Sequence, residues 1–326
     1  MGTGNGAPMV RFRAEAANLS LRATVLVNSA ARRVGPRFDG TKIIRYLADR
    51  DCVASLVMPE SGEQATQEAR ASAERHDDIL FVVGGDGSVR DTALGLAGSG
   101  TSLAAVPAGT VNVWATETRI PRAPLAAIDA HLAGQSVHID LGRAGDRCFL
   151  LMAGVGWDAE ITGRVSRPLK RAIGDLAYIA QAAWMAPRLR TRDARWHTSE
   201  GSFEEPLAWM VFGNSRLYGG KVHLTPRAII DDGLLDVLAA CPRTPSDAFR
   251  LAGKLTQERL QDPRLIRFRD SEIRVETPGF GVQLDGDYAG QTPMTFSVDH
   301  RALLVSLPPG PLPPIFGAPH VNRRGT

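Results

Sequence analysis

The sequence predicts an α/β plus all-β fold: an open parallel sheet with helices on both faces, followed by an antiparallel β-sandwich. Three observations carry this. Apolar runs of strand length alternate with helix-length stretches up to about residue 133. After about residue 137, short apolar runs succeed one another between turns. A length of 326 residues also exceeds the usual size of one core. The α/β part is drawn over 21–136 plus 300–312 and the sandwich over 137–299. A flexible leader, 1–20, and a proline-rich, basic tail, 313–326, flank them.

In order, the first part reads ATVLVN (23–28), a helix near 38–50, VASLVM (53–58) and a helix near 61–75. ILFVV (79–83) and its helix follow, then SLAAVP (102–107) and helical stretches near 110–118 and 123–133. Branched apolar runs bounded by glycine turns suit buried parallel strands. The second part offers VHIDLGRA, RCFLLMAGVG, RWHTSEG, PLAWMVFGN, LLDVLAA, EIRVET, GVQLDGD and MTFSVD as strands. Helical exceptions lie near 168–186 and 246–257. The last apolar run, ALLVSLP (302–308), reads as a strand rejoining the first sheet.

Composition is ordinary for a globular chain, with 44% hydrophobic and 22% charged residues. Net charge is +3, which excludes a polycationic nucleic-acid binder, but its distribution is uneven. Eight Lys/Arg between Arg164 and Arg195 face Asp175 and Asp193, so this segment carries +6 and the remainder −3. Cys52, Cys148 and Cys241 form no CxxC motif, and a reduced, cytoplasmic setting is expected. The N-terminus lacks a signal-peptide core, and no apolar run approaches a membrane span.

The chain is organised around ILFVVGGDGSVR (79–90), a strand that turns through glycines into a helix. Bare backbone admits a bulky anion, while unpaired N–H groups and the helix dipole stabilise its charge. Asp86 inside this turn suits a Mg²⁺ ion or hydrogen-bond network beside a phosphate; it equally suits a capped βα turn. PAGT (107–110) repeats the logic at the end of another strand, with Thr110 as a helix N-cap. Both turns and Asn28 fall at the carboxyl edge of the sheet, where open α/β folds bind ligands.

Two acidic motifs mark the second part. In TPRAIIDDGLLDV (225–237), Asp231, Asp232 and Asp236 surround Gly233, a pattern that serves a hard cation or an Asp-Gly turn. In LDGDYAG (284–290), Asp287 is either a cleft carboxylate able to accept a proton or part of a hairpin turn. The basic segment interleaves Tyr178, Trp184 and Met185, which suits an anionic bilayer surface or a core-packed helix with solvated ends. No nucleic-acid motif accompanies its charge.

Together VNSAARR (27–33), GGDGS (84–88), PAGTVN (107–112), GNSRLYGG with DDGLLDV (213–237) and DGD (285–287) resemble the diacylglycerol kinase catalytic-domain family. This family is akin to sphingosine and ceramide kinases. GGDG alone is shared with NAD kinases and phosphofructokinases; the later acidic motifs favour the lipid-kinase branch. The resemblance implies a phosphofructokinase-like, three-layer α/β nucleotide domain, a β-sandwich lipid-substrate domain, and an active site between them. It implies an ATP-dependent lipid kinase using Mg²⁺, cytoplasmic and peripherally membrane-associated, acting on a lipid with a free hydroxyl.

Residue by residue, the resemblance implies that Asn28, Gly84, Gly85, Asp86, Gly87, Ser88, Val89, Arg90 and Thr110 bind the nucleotide. Asp287 would be the general base and Asp86 would belong to the Mg²⁺-ATP network. Asp232 with the carbonyls of Ile229 and Leu234 would hold a structural Mg²⁺, and Lys170 and Arg171 would meet lipid or membrane. Departures are Ser88 for threonine, Asp91 for glutamate, Val113 for aspartate, and Met58-Pro59 in place of a threonine. Asp287 replaces a glutamate, which moves a base by about 1.5 Å, and catalysis is sensitive to such displacement. The departures keep two other readings in view, an NAD kinase-like enzyme and a non-catalytic nucleotide- or lipid-binding protein. The sequence leaves a homodimer open.

Overall fold

The computed structural model describes residues 10–11, 20–29, 40–157, 191–220, 222–244, 246–247, 250–251, 254 and 261–317. Its first part runs β1 (Val10–Arg11), β2 (Leu21–Val27), α1 (Gly40–Ala48), β3 (Cys52–Val57), α2 (Gly62–Glu74) and β4 (Ile79–Gly84). It continues through α3 (Asp86–Leu96), β5 (Ser102–Pro107), α4 (Val113–Glu117) and α5 (Pro124–Leu132). Strands β3, β2, β4 and β5 pair in that order, all parallel. Every residue of β4 and β5 is buried, as expected of strands covered on both faces.

The second part contains β6 (Gln135–Ala144), β7 (Arg147–Phe149), β8 (Met152–Gly156), β9 (Arg192–Thr198), β10 (Gly201–Leu207) and β11 (Trp209–Gly213). There follow β12 (Leu217–Tyr218), β13 (Val222–His223), β14 (Leu235–Ala240), β15 (Leu265–Asp270) and β16 (Glu272–Val275). The last strands are β17 (Gly281–Leu284), β18 (Asp287–Gln291) and β19 (Met294–Leu307). The helix expected near 168–186 lies outside the described residues, as does most of that near 246–257.

One strand joins the two parts. The sequence suggests separate strands at 294–299 and 302–308; the structure makes them one fourteen-residue strand, β19. Its first half pairs with β16, and its second half lies parallel to β5 through Val305 and Leu103. The parallel sheet therefore continues into the order β10-β9-β16-β19-β5-β4-β2-β3, with β6 antiparallel along β19. The β6 register shifts between Asp299 and Leu303. Buried Asp140 of β6 holds this irregularity: Oδ1 accepts the Arg301 N–H at 2.7 Å and meets His300 Nδ1 at 2.8 Å.

A second sheet, β15-β14-β11-β8-β17-β18, packs against the near half of the first. The core between them contains Val155, Phe212, Val237 and Val282 from the smaller sheet, facing Phe149, Trp196, Ile273 and Phe296 from the larger. Phe212 and Phe296 stack with centroids 4.0 Å apart. This is the expected sandwich, with its two sheets packed through alternating inward residues.

RCFLLMAGVG, read as one strand, divides between the sheets. Its turning point is held by Asp285: Oδ2 accepts the Leu150 N–H at 2.8 Å, and Oδ1 accepts those of Leu151 and Met152 at 2.9 and 3.0 Å. Three backbone donors leaving the ladder are satisfied by one carboxylate. Two flanking segments also differ from expectation. Val10–Arg11, within the leader, pair with β6, and Ile315 and Phe316, within the tail, are buried.

Candidate active site

Register aligns three strand ends at one edge. Val27 sits opposite Val83 and Gly84 opposite Pro107, so Asn28, the 84–88 turn and the 107–112 turn emerge together. Asn28 Nδ2 donates to Ser88 Oγ at 2.7 Å, tying the first turn to the second. The two glycine turns are in contact: a Cβ on Gly109 would lie 2.6 Å from Gly85 Cα. Within the first turn, a Cβ on Gly84 would lie 2.6 Å from Ser88 Cβ. At Gly87 the same construction meets nothing within 4 Å, so the start of α3 opens onto space. Gly85 is the helix N-cap and supplies no side-chain bond. Bare N-terminal amides beside an open volume suit a phosphate.

Asp86 does not face that volume as a spare charge. Its Oδ2 accepts the Val113 N–H at 3.0 Å and its Oδ1 that of Trp114 at 3.1 Å. Burial raises its pKa, while these backbone bonds oppose the rise. Asp86 therefore bonds the first turn of α4 and not that of the helix it begins. The hydrogen-bond network read at this turn is thus made with the Val113 and Trp114 backbone.

Thr110 is exposed and lies three residues before α4, so it is not the N-cap. Asn112 takes that position in the left-handed conformation. Its amide closes the turn, accepting the Gly109 N–H at 2.9 Å and donating to the Gly109 carbonyl at 3.0 Å. The recognisable signal is an asparagine five residues after a strand end, since Asn tolerates αL and bonds local backbone. Glu117 was also missed. Its Oε1 accepts the N–H groups of Arg216 at 3.0 Å and Leu217 at 3.1 Å, joining α4 to the GNSRLYGG loop. Burial raises its pKa.

The far wall is the β17–β18 hairpin. Asp285 and Gly286 have φ of 48° and 82°, the two-residue turn that Asp-Gly favours. Asp287 follows, opposite Leu284, with 59% of its side chain exposed. Arg90, on the first turns of α3, crosses to meet it: Nη1 lies 3.0 Å from Asp287 Oδ2 and 3.2 Å from the Leu284 carbonyl. Its Nε and Nη2 both donate to Asp91 Oδ1, at 3.1 and 2.8 Å. Arg90 was expected to cradle phosphate. Its nitrogens are instead engaged by protein acceptors, and only 17% of the side chain is exposed. Val89 is buried, so its part in any cradle is through backbone alone.

The residues expected to hold Mg²⁺ do not fit that ion in this arrangement. Asp232 Oδ1 accepts the Leu234 N–H at 3.1 Å, and Oδ2 is paired with the Arg269 guanidinium. The only negative charge among Ile229, Asp232 and Leu234 is thus already neutralised, and no group of three or more acidic, His or Cys side chains suited to a metal occurs among the described residues. The neighbouring turn is fixed by other bonds: Asp231 Oδ1 accepts the Gly317 N–H at 2.8 Å, and Asp140 Oδ2 accepts that of Gly233 at 2.6 Å. Lys170 and Arg171 lie outside the described residues. The three cysteines are buried, and burial pushes Cys52 and Cys148 up to about 11 and Cys241 to about 12, which makes them poor nucleophiles.

Comparison with known proteins matches each of the two parts of the chain to a described domain. Residues 22–144 match the diacylglycerol kinase catalytic domain, and residues 152–307 match the YegS C-terminal NAD kinase beta sandwich-like domain. A Pseudomonas putida (strain KT2440) protein named "Probable lipid kinase YegS-like" is 33% identical over 257 residues, covering 77% of this chain and 84% of its own. The Bacillus subtilis (strain 168) protein named "Diacylglycerol kinase" is 28% identical over 249 residues, covering 75% and 82%. A solved structure of a diacylglycerol kinase from Bacillus anthracis str. Sterne has the same fold, with TM-score 0.66 at 18% identity over 88% of this chain and 97% of that one. With both domains matched in order and a relative 33% identical covered over 84% of its length, the chain belongs to the diacylglycerol kinase catalytic-domain family of lipid kinases.

Proposed function

We propose that the protein transfers the γ-phosphate of ATP, entering as its Mg²⁺ complex, to the hydroxyl of a lipid. The observation that carries this reading is Asp287. It is an exposed carboxylate, 3.0 Å from an arginine on the very helix whose N-terminus forms the glycine turn. A proton acceptor on one wall and a phosphate cradle on the other are what phosphoryl transfer to an alcohol requires. The cradle comprises the backbone of Gly84–Ser88 and the 107–110 turn, with Asn28 beside it through Ser88.

In this reading the lipid oxygen attacks the γ-phosphorus while the bond to the β–γ bridging oxygen breaks. ADP departs with that electron pair, and Asp287 takes the hydroxyl proton before releasing it to solvent. The protein's contribution is mainly position and charge balance. Among the described residues no helix is long and apolar enough to cross a membrane. The acceptor in this reading is met at an anionic bilayer surface, with the basic segment Arg164–Arg195, which includes Lys170 and Arg171, as the contact.

Incubation with [γ-³²P]ATP and mixed lipid vesicles, with mass analysis of product, tests the reading. Label should enter a lipid and not NAD. Asp287→Asn should lower turnover by about 100-fold or more, in the range typical of a general base, while ATP still binds. Label in NAD alone, or ATP binding with no labelled product, would replace it with one of the other readings.

A further inference from the structure

We infer that Arg90 is a positioning residue for Asp287, a strut that holds the proton acceptor against the phosphate turn rather than a phosphate ligand. This rests on the reading of Asp287 as the acceptor. Arg90 stands four residues beyond Asp86, at the second turn of α3, and its partners come from both walls. Asp91 on its own helix takes Nε and Nη2, fixing the plane of the fork. With the fork fixed, Nη1 is directed at two groups of the far hairpin, the Leu284 carbonyl at 3.2 Å and the Asp287 carboxylate at 3.0 Å. The first bond anchors the end of β17 and the second orients the first residue of β18, so the Asp-Gly turn between them is gripped from both sides.

The surrounding charge makes the strut necessary. Asp91, Asp285 and Asp287 all act on the one guanidinium. Asp285 cannot move away, since its two oxygens hold three successive N–H groups at the turning point between the sheets. Without Arg90, three carboxylates would repel one another, and Asp287, the exposed one, would swing outward. A planar, pre-organised fork serves two acceptors at once in a way an ammonium does not. A phosphate reaching Arg90 would have to displace one of these carboxylates, and it would then bring more negative charge into the same cluster.

The test is a set of purified full-length variants assayed for kcat, KM for ATP and melting temperature. Arg90→Lys keeps the charge and loses the fork; Arg90→Met loses both. The expected result for Arg90→Lys is a fall in kcat of about tenfold, as misplacement of a reacting group produces, with KM for ATP within about threefold of the parent and melting essentially retained. Arg90→Met should lose more, and Arg90→Met combined with Asp287→Asn should be no slower than Asp287→Asn alone, because residues acting as a unit are not additive. A tenfold or larger rise in KM for ATP at unchanged kcat would make Arg90 a phosphate ligand. Multiplicative losses in the double variant would likewise overturn the strut while leaving Asp287 as acceptor. Parent-like turnover in Asp287→Asn would overturn both.

Discussion

Asp86 bonds the first turn of a helix that begins 27 residues after it: its carboxylate oxygens lie 3.0 Å from the Val113 nitrogen and 3.1 Å from that of Trp114. The bond couples the two glycine turns, which already touch at Gly85 and Gly109. Asp86→Ala removes the side-chain acceptor of the first two α4 N–H groups, a loss on the scale of a helix cap, about 0.5–2 kcal/mol. A melting temperature lower by a few degrees is expected, with a raised KM for ATP as the turns lose register. Asp86→Asn, which keeps one acceptor oxygen, should fall between. A variant with unchanged melting but abolished kcat would return Asp86 to the chemistry.

The pH dependence of stability should show one buried histidine. His131 on α5 is fully buried, with Nε2 2.9 Å from the Ala105 carbonyl and Nδ1 3.1 Å from Ser306 Oγ. Burial lowers its pKa from 6.5 to about 4. Between those values the unfolded chain binds more protons than the folded one, so stability rises with pH and is complete above 6.5. A shift of this size corresponds to about 3 kcal/mol at most. Urea denaturation at pH 7 and pH 4.5 should reveal the loss, and His131→Gln should reduce the difference between the two conditions. An equal difference in that variant would assign the acid sensitivity to other groups.

Metal removal should leave the fold intact. Asp232 is neutralised by Arg269 rather than left as an open ligand. Melting curves with EDTA and with added Mg²⁺, both without nucleotide, should therefore superimpose. Arg269→Met should lower stability by about 1 kcal/mol, the scale of a partly exposed ion pair. A rise of several degrees on adding Mg²⁺ to the parent protein would show that the ion displaces the guanidinium.

The legible features were local ones. GGDGS lies in a βα turn because five apolar residues precede it and a helical spacing follows, a pattern contained within twelve residues. DGD was legible as a turn for the same reason, since Asp-Gly prefers the positive φ found at Asp285 and Gly286. What escaped reading was the destination of each charge. Arg90 looks like a phosphate ligand because it follows a phosphate turn, yet its partner Asp287 is 197 residues away. Asp232 looks like a metal ligand until β15 brings Arg269 beside it. Glu117 gave no sign, because a carboxylate in VWATE is unremarkable until the 216–217 backbone arrives to bond it.

By itself the sequence determined most element types, the family, and which glycine turns share one edge of the sheet. Side-chain periodicity and glycine placement encode these within a few residues of chain. Only the tertiary structure decided which carboxylates remain available for chemistry. Charges drawn into the fold must find partners, and those of Asp86, Asp285 and the more exposed Asp232 include groups on distant strands and helices whose approach no local pattern specifies. Asp287 stays exposed at the cleft because Asp285, two residues earlier, turns inward to bind the crossing between the sheets.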